Sequence, residues 1–232
     1  MNRNICISQL DIFCLLFPLL FFWGCKEKEK TDERLKTSDS LSGKPMPSLP
    51  KKTIVFFGNS LTAGFGLDLS EAFPSLIQSR IDSLKLPYKV INAGLSGETS
   101  AGGGSRIDWI LRQPLDIFVL ELGGNDGLRG IPASDTYANL QSIIDKVRSS
   151  HPAAKILLTG IQMPPSMGKR YTTEFRNIFP ELAKKNKIEL VPFILEGVGG
   201  LPSLNQADGI HPTAAGDIIV AGNVWKVLEK ML

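Results

Sequence analysis

A three-layer α/β fold, with a central, mainly parallel five-stranded sheet and helices on both faces, is what the order of apolar segments predicts. Three observations lead to it. Short, near-continuous apolar runs recur at residues 53–57, 89–93, 116–122, 155–161 and 188–193, the pattern of strands covered on both faces. Segments of helical spacing lie between and after them, at 70–84, 134–149, 172–186 and 213–231, and such alternation builds parallel sheets through right-handed crossovers. Polar, glycine-rich segments at 58–66, 94–104, 123–130 and 204–212 follow the strands or precede a helix, where open α/β sheets bind their ligands.

Taken in order, Thr53, Ile54, Val55, Phe56 and Phe57 make the first strand, which stops at Gly58. Ser70 offers the start of the first long helix, with Pro74 tolerable only in its first turn. Ser134, ahead of Asp135, offers the next start, and Pro212 precedes Thr213 where the last helix begins. Within that last segment Ile218, Ile219, Gly222, Val224, Trp225 and Leu228 fall on one face able to cover a sheet. Trp225 is accordingly assigned to core packing.

Composition narrows the function classes. With 43% hydrophobic residues in 232 and no internal repeat, the chain is neither disordered nor a solenoid. A net charge of +3, spread evenly, gives no electrostatic footprint for nucleic acid. His151 sits at the end of a helical segment, where the helix dipole accounts for it. It has no nearby Cys, His or acidic residues at metal-binding spacing, so no zinc or other transition-metal site is expected.

The N-terminus differs from the rest. Residues 12–23 are apolar throughout and are followed by Gly24 and Cys25. As a helix they would span about 18 Å, short of the roughly 30 Å hydrocarbon core. Extending the helix upstream would bury Asp11, so an export signal is the reading. The pattern resembles a bacterial lipoprotein signal, with cleavage after Gly24 and lipidation at Cys25. A simple membrane anchor and a secretory peptide cut elsewhere are the alternatives. On the lipoprotein reading, residues 1–24 are the signal peptide, 25–51 a lipidated cysteine with a flexible polar tether, and 52–232 the folded domain. The expected location is the outer membrane, with the domain periplasmic or surface-exposed; a secreted or periplasmic protein is the alternative. Cys25 would be the one cysteine left after cleavage, so no intramolecular disulfide forms.

The chemistry-bearing residues fall in the glycine-rich segments. Ser60 follows the first strand in Gly58-Asn59-Ser60-Leu61, where a strand-to-helix turn can present a hydroxyl beside free backbone N–H groups. A serine needs a base to take its proton. His211 lies just before the last helix, in Asp208-Gly209-Ile210-His211-Pro212; that spacing lets Asp208 hold Nδ1 while Nε2 faces Ser60. In Glu121-Leu122-Gly123-Gly124-Asn125-Asp126, Asn125 can aim an amide N–H at an oxyanion, and Gly97 can supply a backbone N–H. Asp126 is read as a loop organiser. Leu128, Ile131, Met163, Pro164 and Pro165 could line an acyl groove or cover the sheet edge.

These ordered blocks resemble the SGNH, or GDSL, hydrolase superfamily across residues 53–230. The stretches 58–64, 121–130 and 163–171 resemble in particular the bacterial arylesterase, acyl-CoA thioesterase I and lysophospholipase L1 group. The resemblance implies a flavodoxin-like fold, no metal or cofactor, and a Ser60–His211–Asp208 triad with Ser60, Gly97 and Asn125 as oxyanion donors. It implies cleavage of carboxylic esters of short to medium acyl chain, aryl esters included. A lysophospholipase or acyl thioesterase, a polysaccharide O-deacetylase and a non-catalytic surface binding protein are the alternatives. The expected partner is a small-molecule or lipid ester, with the membrane reached through the anchor. The block reads Gly-Asn-Ser-Leu where the superfamily has Gly-Asp-Ser-Leu, so Asn59 keeps an acceptor oxygen and loses a charge.

Overall fold

The computed structural model describes residues 51–232. The signal, nearly all of the tether, and Cys25 lie outside the described residues.

Among the described residues five parallel strands run in the order β2-β1-β3-β4-β5: β1 (Lys52–Gly58), β2 (Tyr88–Gly94), β3 (Ile117–Glu121), β4 (Lys155–Thr159) and β5 (Glu189–Val191). The three inner strands are those whose sequence is apolar almost throughout. Ile54, Val55, Phe56 and Phe57 of β1 are fully buried, as are Phe118, Val119 and Leu120 of β3. Edge strands β2 and β5 carry exposed Lys89, Asn92 and Glu189, which disfavour pairing with another chain.

Seven α-helices accompany the described strands: α1 (Ser60–Ala63), α2 (Phe73–Ser83), α3 (Ser100–Ile110), α4 (Gly124–Leu128), α5 (Ala133–Ser150), α6 (Lys169–Asn186) and α7 (Ala214–Leu228). The chain steps outward from β1 to β2 and then back past β1 to β3, so right-handed crossovers put helices on opposite faces. Accordingly α2 packs beside α7, and α3, α5 and α6 pack in a row. Trp225 is buried in α7, with the Arg80 guanidinium 4.6 Å above its ring. Strand order reverses between β1 and β3, and the crevice beyond their carboxyl ends is the switch point of such a sheet.

Three helix starts differ from expectation, the simplest being α6, which begins at Lys169 rather than at 172. The first long helix begins at Phe73, not near Ser70: its N-cap is Ala72, and the Phe73 N–H donates instead to Asp217 of α7 at 2.9 Å. Ser134 lies inside α5, which starts after Pro132. The glycine-rich segment at 94–104 reads as a loop, yet α3 begins within it at Ser100, capped by Thr99, whose side chain accepts from the Gly102 N–H. Gly103 answers to packing: a Cβ on it would lie 2.4 Å from Leu122 and 3.2 Å from Phe57.

Candidate active site

The block around Ser60 is a strand end folded tightly onto a helix start. Gly58 closes β1, and a Cβ there would lie 2.1 Å from Thr62 Oγ1 and 2.6 Å from Glu121 Oε2, so only glycine lets α1 double back. The Asn59 side chain caps α1 by accepting from the Leu61 N–H at 3.0 Å. Ser60 follows as the first residue of the helix, and Gly64, with φ +74°, ends it. At a helix start the Ser60 N–H has no intrahelical acceptor.

His211 is held opposite by a small hairpin. Residues 204–206 and 211–213 run antiparallel, through Thr213 N–H to Leu204 O at 2.9 Å and Gln206 N–H to His211 O at 2.7 Å. Gly209, at φ +70°, turns the tip. Asp208 Oδ1 accepts the Ile210 and His211 backbone N–H groups at 2.9 and 3.0 Å, and its Oδ2 lies 2.6 Å from His211 Nδ1. Nε2 lies 2.8 Å from Ser60 Oγ. The bond to the His211 side chain, followed by the two backbone bonds, draws the Asp208 carboxyl down to about 2, so it is ionised at any pH of interest.

The loops that carry Ser60 and His211 are tied to each other. Gln206 Nε2 donates to Phe65 O at 2.7 Å and to Pro212 O at 2.9 Å, and the Phe65 ring sits 4.5 Å from the imidazole. Neither Phe65 nor Gln206 stands out in the sequence. For Phe65 the available signal is its place directly beside the Ser60 block; for Gln206, whose Phe65 contact is 141 residues away, there is none.

Ser60, Asn125 and His211 share the lining of a cavity of about 540 Å³, within the range of small-molecule sites. Leu128, Met163, Pro164 and Pro165 also line it, and so do Leu61, Ile161, Phe193 and Leu195, which the sequence alone does not point to. Ile131 is not among the lining residues; its carbonyl instead accepts the Tyr171 hydroxyl at 2.7 Å. Gly97 does not line the cavity either. It adopts φ +81°, and a Cβ there would meet nothing within 4 Å, so its glycine answers to backbone conformation rather than crowding. The loop it occupies is docked on α4: Asn125 Nδ2 donates to Glu98 O at 3.0 Å and Arg129 to Gly97 O at 3.1 Å. Asp126 is buried and accepts from the Ser100 N–H at 2.8 Å and hydroxyl at 2.5 Å, joining α4 to α3.

Comparison with known proteins gives this arrangement its family. Residues 56–217 match the model of the GDSL-like Lipase/Acylhydrolase family. The chain belongs to that family. Esterase TesA of Pseudomonas aeruginosa is 43% identical over 182 residues, 78% of this chain and 90% of the relative. An arylesterase of Vibrio mimicus is 34% identical over 186 residues, 80% and 92% of the two chains. The thioesterase 1/protease 1/lysophospholipase L1 of Escherichia coli K12 is 37% identical over 181 residues, 78% and 85%. A crystal structure of TesA superposes with a TM-score of 0.75 at 43% identity, covering 78% of this chain and all of that one. As a member of the GDSL-like family with the Ser60–His211 contact in place, the protein is a serine hydrolase of the arylesterase, thioesterase and lysophospholipase type, acting on a small-molecule ester.

Proposed function

We propose that the protein is an arylesterase-like hydrolase of carboxylic esters with uncharged alcohol groups and short to medium acyl chains, working through an acyl-Ser60 intermediate. The observation that carries this reading is the unbroken line of bonds Asp208–His211–Ser60 ending at a cavity with apolar walls. Among the described lining residues there is no Lys, Arg, Asp or Glu. A phosphate-bearing leaving group would find no cation there to neutralise it, whereas a neutral aryl or alkyl ester loses little on entering.

In the reaction, His211 Nε2 takes the Ser60 proton as Oγ attacks the carbonyl carbon. Asp208, ionised and bonded to Nδ1, holds the tautomer that makes Nε2 the acceptor and stabilises the imidazolium. The carbonyl oxygen becomes an oxyanion facing three donors: the Ser60 N–H, the Gly97 N–H and the Asn125 amide hydrogen not committed to Glu98. Collapse expels the alcohol, which takes the proton from His211. Water then enters and gives a proton to the same nitrogen as its oxygen attacks the acyl carbon; collapse releases the acid, and the imidazolium returns that proton to Ser60 Oγ.

The Escherichia coli relative supports a second reading, a lysophospholipase or acyl thioesterase. A purified-enzyme panel separates the readings. Phenyl and p-nitrophenyl acetate and butyrate, long-chain lysophospholipid, acyl-CoA and acetylated polysaccharide are compared by kcat/KM. Highest values for the short neutral esters are expected; preference for the acyl-CoA or the lysophospholipid would overturn that assignment in favour of the second reading. Preference for the polysaccharide would make it a deacetylase, and binding of an ester analogue without turnover a surface binding protein. The signal-like residues 12–24 and Cys25 further support export and tethering through a lipid at Cys25. Mass analysis of the mature N-terminus should show a diacylated or triacylated Cys25; an unmodified N-terminus elsewhere would contradict it.

A further inference from the structure

Ser60 and His211 stand 151 residues apart in the chain. Among the described residues, only two hydrogen bonds join the stretch 58–66 to the stretch 204–213: the Ser60–His211 contact itself, and the bond from Gln206 Nε2 to Phe65 O at 2.7 Å. Gln206 reaches both sides at once. Its backbone N–H donates to His211 O at 2.7 Å and its carbonyl accepts from the Gly209 N–H at 2.9 Å, which closes the hairpin around Asp208. The second hydrogen of Nε2 goes to Pro212 O at 2.9 Å. Phe65 in turn donates its N–H to Ser60 O at 3.0 Å. A line of bonds therefore runs from the Ser60 backbone through Phe65 and Gln206 to the His211 backbone, independent of the two reacting side chains. The Gln206 amide has one orientation available, because both groups facing Nε2 are carbonyl oxygens. Its Oε1 lies over Gly66, where a Cβ would come within 2.3 Å, and Gly66 at φ +75° leaves that room. The hairpin's other side-chain anchor, Asn205, binds Val198 O and Leu201 O at 2.7 and 2.8 Å and not the Ser60 turn.

The two bonds do not last equally through the reaction. With Asp208 holding the hydrogen on Nδ1, the Ser60 hydroxyl of the free enzyme donates to Nε2. Once the alcohol has left, Oγ is an ester oxygen without a hydrogen, and Nε2 has passed its proton to the alcohol. Two acceptors then face each other, and the contact holds nothing. Deacylation nevertheless needs Nε2 within reach of a water at the acyl carbon. The Gln206–Phe65 bond involves none of the reacting atoms and survives acylation. We propose that Gln206 is a positioning residue for the second half of the reaction, its amide clamping the His211 hairpin to the Ser60 turn while serine and histidine have no bond between them. Phe65 takes part, because fixing its carbonyl also fixes its ring against the imidazole, 4.5 Å between centroids. The proposal rests on Ser60 being the nucleophile and on the acyl-Ser60 intermediate.

Two substitutions remove the clamp differently. Gln206→Met keeps the length of the side chain and loses both donors; Gln206→Glu keeps the shape and sets carboxylate oxygens against the Phe65 and Pro212 carbonyls. Wild type, Q206M and Q206E, each as the full chain and each checked for a cooperative melt, are mixed in excess over p-nitrophenyl butyrate at pH 8. Release of p-nitrophenol measures acylation. Peptide mass spectrometry of acid-quenched samples follows the gain and loss of the butyryl group on Ser60. In both variants acylation should slow by no more than about threefold and loss of the butyryl group by roughly 10- to 100-fold, the scale on which a misplaced group slows a reaction. In the steady state the same change lowers kcat and KM together. Deacylation within about threefold of wild type, or acylation slowed as much as deacylation, would overturn the proposal. Should one variant fail to melt cooperatively, the other carries the test; failure of both would make the contact a support of the fold and overturn the proposal as well. Butyryl found in wild type on a residue other than Ser60 removes the nucleophile reading itself; butyryl on Ser60 with unchanged deacylation in the variants removes the clamp alone.

Discussion

Replacing Asp208 by asparagine should leave the hairpin standing and stop the chemistry. Asp208 Oδ1 accepts the Ile210 and His211 backbone N–H groups at 2.9 and 3.0 Å, a role an asparagine oxygen takes over unchanged. The other terminal atom, 2.6 Å from His211 Nδ1, becomes an NH2 that can only donate. Nδ1 must then be the bare nitrogen and Nε2 the protonated one, so the ring presents a hydrogen to Ser60 Oγ across the 2.8 Å contact and cannot accept the serine proton. The expected loss in kcat is about 10³- to 10⁴-fold, equivalent to about 4–5.5 kcal/mol of transition-state stabilisation, with KM within a few-fold of wild type. Because the carboxylate is over a third exposed, the accompanying change in stability should stay near 1 kcal/mol or below. Initial rates on p-nitrophenyl butyrate, beside a thermal melt, measure both quantities. A kcat within tenfold of wild type in a folded D208N protein would refute the tautomer argument.

Three further outcomes are expected. Activity should fall on the acid side, because an imidazolium at His211 cannot accept the serine proton; Asp208, held near 2, contributes nothing to that limb, and a kcat/KM profile flat from pH 5 to 8 would contradict it. Asp217 is buried and its carboxyl is pushed by desolvation from 3.8 up to about 7. A raised folded-state value stabilises below the unfolded value, and that contribution, on the order of 4 kcal/mol at most, is lost as pH rises through 7. D217N keeps the acceptor for the Phe73 N–H and carries no charge, so its melting temperature should gain on wild type between pH 4 and pH 8; a difference independent of pH would count against this. Finally, a Cβ on Gly127 would lie 2.0 Å from Met163 Sδ, so G127A should press Met163 into the cavity. The octanoate-to-acetate ratio of kcat/KM should drop several-fold, for about 1–2 kcal/mol of overpacking; an unchanged ratio would mean that Met163 does not bound the acyl site.

The parts of the fold legible in the sequence are those whose cause is local. β1 and β3 are written as unbroken apolar runs because both faces are covered, and the turn residues after them mark the carboxyl edge. The last apolar run predicts a fifth strand reaching Phe193, but the strand stops at Val191, since Pro192 has no N–H to continue a ladder. The α3 helix is hidden in the sequence because glycine is a poor helix former in isolation; here the close approach of Gly103 to Leu122 outweighs propensity. Phe73 starts α2 on a carboxylate 144 residues away, which no local pattern announces. The same division holds at the site. Asp208 and His211 betray themselves by a three-residue spacing, and Ser60 by its turn. Glu121 is visible in the sequence only as a carboxylate at the end of a buried strand, and its four bonds form only once Asn59 and Thr62 fold back onto it.

The central claim is that the Ser60 hydroxyl is the attacking group. The direct measurement is to treat wild type and S60A with a serine-directed phosphonate, locate the adduct by peptide mass spectrometry, and follow ester turnover in parallel. A single adduct on Ser60 in wild type, with neither adduct nor turnover in a folded S60A protein, is the predicted result. Equal labelling of both proteins at another residue, or undiminished hydrolysis by S60A, would contradict it.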